Sequence, residues 1–214
     1  MADDYICPDW SNAALVLIDV QNDFAHGSIT IEGTAERLPD MGRLAAAFRA
    51  AGRPIIHMVR LYRPGSSDVD TPRRAAVEDG AQIVAPDTEG AQICPDVLAE
   101  PVELDCSELL AGHPQAVGPD EVILYKPRWS AFYRTRLDAH LQASTITTVV
   151  VAGCNLPNCP RATLFDASER DYRTVLVTDA TSQATAPRLD DLGLIGVVLS
   201  STDAAVEALS DGGS

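Results

Sequence analysis

The chain has 214 residues, 46% of them hydrophobic, and a formal net charge of −15. That length and apolar fraction suit one domain, spanning 1–214, with a sizeable buried core. The acidic balance argues against nucleic acid and anionic membrane partners, both of which need a basic patch, and no apolar run approaches the length of a membrane span. The opening Met-Ala-Asp-Asp-Tyr lacks the basic start and apolar stretch of a secretory signal, so a cytoplasmic location is expected.

Taken in chain order, the apolar, β-branched run 14–20 predicts a first strand, and helical spacing over 35–51 ends at Gly52 before Pro54. A second strand is predicted over 54–60. The stretch 61–120 is rich in Pro, Gly, Ser and Asp and shows no repeated period. It reads as a long excursion with one short helix over 71–78, acting as a lid or an oligomer surface. Further strands are predicted over 121–126, 147–153, 174–179 and 195–200, with helices over 134–141, 159–170 and 202–209. The polar tail Ser210 to Ser214 is expected to fray. Strands alternating with helices define an α/β fold, a three-layer α/β/α sandwich around a six-stranded, mostly parallel, doubly wound sheet.

In such sheets ligands bind beyond the carboxyl ends of the strands, near the point where strand order reverses. Asp19 closes the first predicted strand, Lys126 closes the third, and the turn from Gly153 to Cys159 follows the fourth. Of the 16 Lys+Arg residues fifteen are arginine, leaving Lys126 as the single lysine. An ammonium is a compact point charge whose pKa responds to burial, whereas arginine keeps its proton. Lys126 is therefore either needed as a lysine or a surface residue retained by chance.

Cys159 opens a helical run, with Asn158 a candidate N-cap and Pro160 suited to the first turn. A thiol there feels the positive end of the helix dipole and free backbone N–H groups, which favour thiolate; the alternative is an inert buried cysteine. Asp19 follows five apolar residues, where a carboxylate is costly unless paired, and suits a general base; the alternative is a loop cap. The five cysteines, an odd count in a chain without a secretory signal, argue against a disulfide framework. The spacing of Cys and His residues suggests no metal site, and no cofactor is expected.

Three segments together resemble a known family: Leu17-Ile-Asp-Val-Gln-Asn-Asp-Phe24, Tyr125-Lys-Pro-Arg-Trp-Ser-Ala-Phe132 and Val151-Ala-Gly-Cys-Asn-Leu-Pro-Asn-Cys-Pro-Arg-Ala-Thr-Leu-Phe-Asp-Ala167. They look like the signature blocks of the isochorismatase-like cysteine hydrolases, a group that includes nicotinamidases and N-carbamoylsarcosine amidase. The resemblance implies a catalytic set of Asp19 as base, Lys126, and Cys159 as nucleophile. It also implies a cis peptide at Cys154–Asn155 that directs the N–H of Asn155, with that of Cys159, at a developing oxyanion.

The activity implied is hydrolysis of a small amide, ureide or lactam C–N bond through a thioester, on a small-molecule substrate, by a homodimer or homotetramer. An isochorismatase-type vinyl-ether hydrolase and a catalytically silent binding or scaffold protein are the alternatives. Nicotinamidases carry an Asp-x-His metal motif after the second strand, where this chain reads Arg60-Leu-Tyr-Arg-Pro-Gly-Ser66, so no zinc is expected. Phe24, Arg128, Trp129, Phe132, Tyr133 and Arg161 are the candidate pocket residues, close in sequence to the catalytic positions.

Overall fold

The computed structural model describes residues 5–27 and 29–211. The first four residues of the opening segment and residues 212–214 of the polar tail lie outside the described residues. The central strand, β1 (Ala13–Ile18), is buried at every position. Its Ala-Ala-Leu-Val-Leu-Ile run carries apolar side chains on both faces of the pleat, as a strand sandwiched between two helical layers requires. Ala13, Leu15 and Leu17 enter one core with helix α2 (Leu38–Ala50) and helix α8 (Thr202–Asp211). Ala14, Val16 and Ile18 enter the other with α5 (Leu137–Ala143), α6 (Cys159–Ser168) and α7 (Ala186–Leu194).

Around β1 lie β2 (Ile55–Val59), β3 (Gln115–Gly118), β4 (Glu121–Tyr125), β5 (Thr148–Gly153), β6 (Arg173–Thr181) and β7 (Val198–Ser200), in the spatial order β3-β4-β2-β1-β5-β6-β7. All pairings are parallel except β3 with β4. The chain builds outward from β1 through β2 and β4, then returns to the far side of β1 as β5, so the order reverses at β1. Ile18 is level with Met58 and with Gly153, and Val59 with Tyr125. This register delivers Asp19, Arg60, Lys126 and Cys154 to the same edge of the sheet, which is the physical origin of the site.

The sheet has seven strands among the described residues, one more than expected. The extra strand, β3, is a short antiparallel edge with half-exposed residues, and a strand buried on neither face leaves no alternation to read. The predicted helix over 35–51 starts with a 3-10 turn at Ala35–Arg37 and becomes α-helical at Leu38. The helix predicted over 134–141 begins only at Leu137, and the strand predicted from 195 begins at Val198 because Ile195 caps α7. Within 61–120, the short helix α3 (Thr71–Glu78) forms as expected, accompanied by α4 (Cys106–Leu110).

Candidate active site

Asp19 leaves β1 with φ of 54°, a left-handed conformation that aspartate tolerates better than most residues. Its N–H donates to the Met58 carbonyl at 2.9 Å, so the end of β2 fixes the turn. The side chain is buried, and its Oδ2 accepts from Lys126 Nζ at 2.9 Å. Lys126 is 0% exposed and donates also to the Arg128 carbonyl at 3.4 Å. Its own N–H is held by the Val59 carbonyl at 3.0 Å. Asp19 Oδ1 is buried without a hydrogen-bond partner among the described residues. A carboxylate oxygen that no other protein hydrogen bond holds is left as an acceptor for a proton.

The turn after β5 reaches this carboxylate because Gly153 has no side chain. At φ of 121°, a Cβ on Gly153 would stand 2.2 Å from the Ile18 carbonyl oxygen. Without one, the Cys154 N–H donates to that oxygen at 2.8 Å and the turn packs against the end of β1. The Cys154–Asn155 bond is cis, and Asn155 Nδ2 donates to Gln183 Oε1 at 2.8 Å. Cys159 begins α6, and the backbone N–H groups of Asn155 and Cys159 have no acceptor among the described residues. Asn158 does not cap α6 with its side chain; it contributes its carbonyl, which accepts from the Ala162 N–H at 2.9 Å.

The Cys159 side chain interacts with the Asp19 carboxylate. Burial, reinforced by that negative charge, pushes the thiol above its usual range, against the opposing pull of Lys126 and Arg60. The thiolate expected from the helix terminus is therefore not the resting form. Desolvation and the Asp19 charge together outweigh the two cations and hold the proton on sulfur. Burial likewise pushes Cys154 up to about 12, as befits a structural neighbour.

Asp19, Cys159 and Asn155 line a cavity of about 20 Å³, room for about one water, together with Phe24, Arg60, Arg73 and Trp129. A hollow of about 450 Å³ adjoins it, sharing Asp70 and Trp129 and walled by Arg128, Ser130 and Tyr133. Of the expected pocket residues, Phe24 and Trp129 reach the inner cavity, while Arg128 and Tyr133 line only the outer hollow. Arg128 sits there 3.5 Å from Asp68. Phe132 and Arg161 are corrections. Phe132 is buried in the core against Tyr172, with ring centroids 5.9 Å apart, and Arg161 faces Asp191 at 3.7 Å and the Phe165 ring. The turn that begins at Ala131 carries Phe132 inward to the core, a direction that sequence proximity does not encode.

Four polar residues that proximity in sequence does not select also reach the cavity: Arg60, Tyr62, Asp70 and Arg73. Arg60, 2% exposed, donates to Asp70 Oδ2 at 2.6 Å and to the Lys126 carbonyl at 3.0 Å, and its guanidinium lies 4.8 Å from the Tyr62 ring centroid. Tyr62 donates its hydroxyl proton to the same Asp70 oxygen at 2.7 Å. Burial opposes the charge on Arg60, but Tyr62, Asp70 and Asp19 outweigh it and its pKa is raised. The signal was available: Arg60 follows β2 at the same sheet edge as Asp19. These residues do not fit a metal ion where nicotinamidases hold one, since a permanently protonated guanidinium has no lone pair to donate. Among the described residues no group of three His, Cys, Asp or Glu could hold one.

Sequence comparison places this architecture. The isochorismatase domain model matches residues 13–104 and 107–200, and the chain belongs to the isochorismatase family. It is similar to a probable inactive nicotinamidase of Arabidopsis thaliana, 36% identical over 180 residues that cover 82% of this chain and 83% of the relative. A ureidoacrylate amidohydrolase of Methylobacterium radiotolerans is 26% identical over 199 residues, covering 84% of this chain and 70% of that protein. Among solved structures, an isochorismatase family protein from Desulfovibrio vulgaris superposes with a TM-score of 0.78 at 31% identity, covering 93% of this chain and 98% of that one. Among the described residues no helix is long and apolar enough to cross a membrane.

Proposed function

We propose that the protein is a cysteine amidohydrolase that cleaves the C–N bond of a small amide, ureide or lactam. The observation that carries this reading is the Asp19 carboxylate, held by a buried lysine through one oxygen and unpartnered at the other, beside the Cys159 thiol. The Cys159 proton passes to Asp19 as sulfur attacks the carbonyl carbon. The negative charge that develops on the carbonyl oxygen is met by the N–H groups of Asn155 and Cys159, of a kind that lowers such barriers by about 3–4 kcal/mol each. Asp19 then returns the proton to the leaving nitrogen, the C–N bond breaks, and a thioester remains on Cys159. Water, giving its proton to Asp19, attacks the thioester; the sulfur leaves and is reprotonated. Lys126 anchors Asp19 throughout. The amidohydrolase name of the Methylobacterium radiotolerans relative supports the reaction class.

The Arabidopsis thaliana relative, named a probable inactive nicotinamidase, favours a second reading, a silent member of the fold. Against it stands the meeting at one cavity of the Cys159 thiol and the Asp19 carboxylate, which the fully buried Lys126 holds, because a buried ion pair contributes little net stability that a purely structural protein would need. The test is an ammonia-release screen of small amides, ureides and lactams with wild type and Cys159→Ala. The expected result is turnover that disappears in Cys159→Ala while the melting temperature is kept. Equal turnover by both proteins, or none by either across all three classes, would overturn the reading.

A further inference from the structure

Two residues at the end of β2 hold both backbone groups of Lys126. The Val59 carbonyl accepts the Lys126 N–H at 3.0 Å, and just past the β2–β4 ladder the Arg60 guanidinium donates to the Lys126 carbonyl, also at 3.0 Å. The Arg60 backbone is fixed in turn by the wholly buried Gln21, which donates to its carbonyl at 2.9 Å and accepts from its N–H at 2.8 Å. The ends of β1, β2 and β4 are thereby tied together. Asp70 precedes α3, where an aspartate commonly caps the helix with its side chain. Here that side chain makes no cap hydrogen bond and accepts from Arg60 at 2.6 Å and from the Tyr62 hydroxyl at 2.7 Å. A buried pair contributes little net stability, and this one borders the cavity of the Cys159 thiol. The other charged groups around that thiol are Asp19 after β1, Lys126 after β4, and Arg73 of α3, which forms no ion pair among the described residues.

We propose that Arg60 is a positioning residue that keeps a fixed positive charge beside the Cys159 sulfur and so favours the thiolate that attacks the carbonyl, with Asp70 moderating that charge. This rests on the amidohydrolase reading above and adds a residue to its machinery. A guanidinium keeps its proton, and the neighbours of Arg60 raise its pKa further, so the charge persists while the sulfur ionises. Lys126 is engaged with Asp19 at 2.9 Å, whereas the Arg60 guanidinium makes no hydrogen bond to Asp19 among the described residues. Its three held contacts, with Lys126, Tyr62 and Asp70, set where the charge stands. The cavity has room for about one water, so little solvent intervenes to screen that charge from the sulfur.

The experiment follows the ionisation of Cys159 by the ultraviolet absorbance of its thiolate, taken as the difference between each protein and its Cys159→Ala counterpart. That difference removes the tyrosines and the other thiols from the signal. All proteins carry Asp19→Asn, so the sulfur is the one member of the acid and thiol pair left to titrate. Arg60→Gln is expected to raise the midpoint by about one pH unit, a tenfold loss of thiolate, and Asp70→Asn to lower it. Arg60→Lys keeps the charge and should stay near the Asp19→Asn parent. A purely structural role gives another pattern, because either substitution breaks the same contact, admits water and moves the midpoint in one direction. Shifts of the same sign, no shift in Arg60→Gln, or no titration of the parent up to about pH 10 would overturn the proposal. Urea unfolding checks that each variant is folded. If Arg60→Gln does not fold, Asp70→Asn decides: a lowered midpoint supports the proposal, and a raised or unmoved one overturns it. The expected shifts without turnover in the ammonia-release screen would leave this inference standing and remove the hydrolase reading. Cys159-dependent turnover with midpoints unmoved by either substitution would do the reverse.

Discussion

Lys126 Nζ lies 2.9 Å from Asp19 Oδ2, joining residues 107 positions apart, and the lysine is wholly out of contact with solvent. A buried pair of this kind gains little net stability from its own attraction, because both charges have lost their water. Removing one partner is another matter, since the survivor remains buried and uncompensated.

Lys126→Met is therefore expected to lower stability by about 3–5 kcal/mol in urea unfolding. Lys126→Arg keeps the charge but brings a planar, larger group to a site packed for an ammonium, and the displacement of Asp19 should cost about a hundredfold in turnover. Near-normal activity in Lys126→Arg would show that the position of the cation is not critical.

The protonated resting thiol leads to a second expectation. Iodoacetamide at pH 6–7 should modify Cys159 no faster than an ordinary thiol, because the reactive thiolate is scarce. Asp19→Asn removes the negative charge that helps hold the proton on sulfur while leaving Lys126 nearby, so alkylation at pH 7 should quicken even as turnover is lost. Peptide mass spectrometry of the alkylated protein reads both rates. The sign for stability follows from the same shift. A thiol whose folded-state pKa is raised contributes stability that is present below its ordinary 9.0 and is lost as pH climbs above it. Rapid labelling of wild-type Cys159 at pH 6 would contradict the electrostatic account.

On the opposite side of the sheet's centre, Glu121 predicts behaviour in acid. Burial opposes its ionisation, but hydrogen bonds from Arg49 at 2.7 Å and 2.6 Å and from His57 at 2.6 Å outweigh it and hold the carboxyl at about 2. A carboxyl with a lowered folded pKa contributes stability above its ordinary 4.5, and that contribution, at most about 3 kcal/mol, is lost as pH falls from there toward 2. Glu121→Gln should be less stable than wild type at pH 7 and show a flatter decline between pH 4.5 and 2 in thermal melts. Parallel declines in the two proteins would assign acid sensitivity elsewhere.

Much of the candidate site is legible in the sequence alone. Asp19, Lys126 and the 153–159 turn each end a run whose apolar character marks a strand, and the rule for open α/β sheets brings such ends together. Arg60 obeys the same rule, since it directly follows β2, but an arginine among the many of this chain carries no chemistry that singles it out. Arg73 could not be found that way, because it belongs to a helix of the irregular 61–120 segment, which carries no period tying it to the sheet. Phe132 and Arg161 show the converse. Each adjoins a proposed catalytic position in sequence, yet Phe132 turns into the core and Arg161 toward α7.

The linear order of residues by itself determined the strands, the parallel sheet and the identity of the acid, the amine and the thiol, because hydrophobic period and residue chemistry are local properties. Only the tertiary structure decided the protonation of Cys159, the buried Arg60–Asp70 pair and the unmatched charge of Arg73. Those depend on which groups lose water together and how far apart they stand, and such distances exist only once residues remote in the chain are packed into one low-dielectric space.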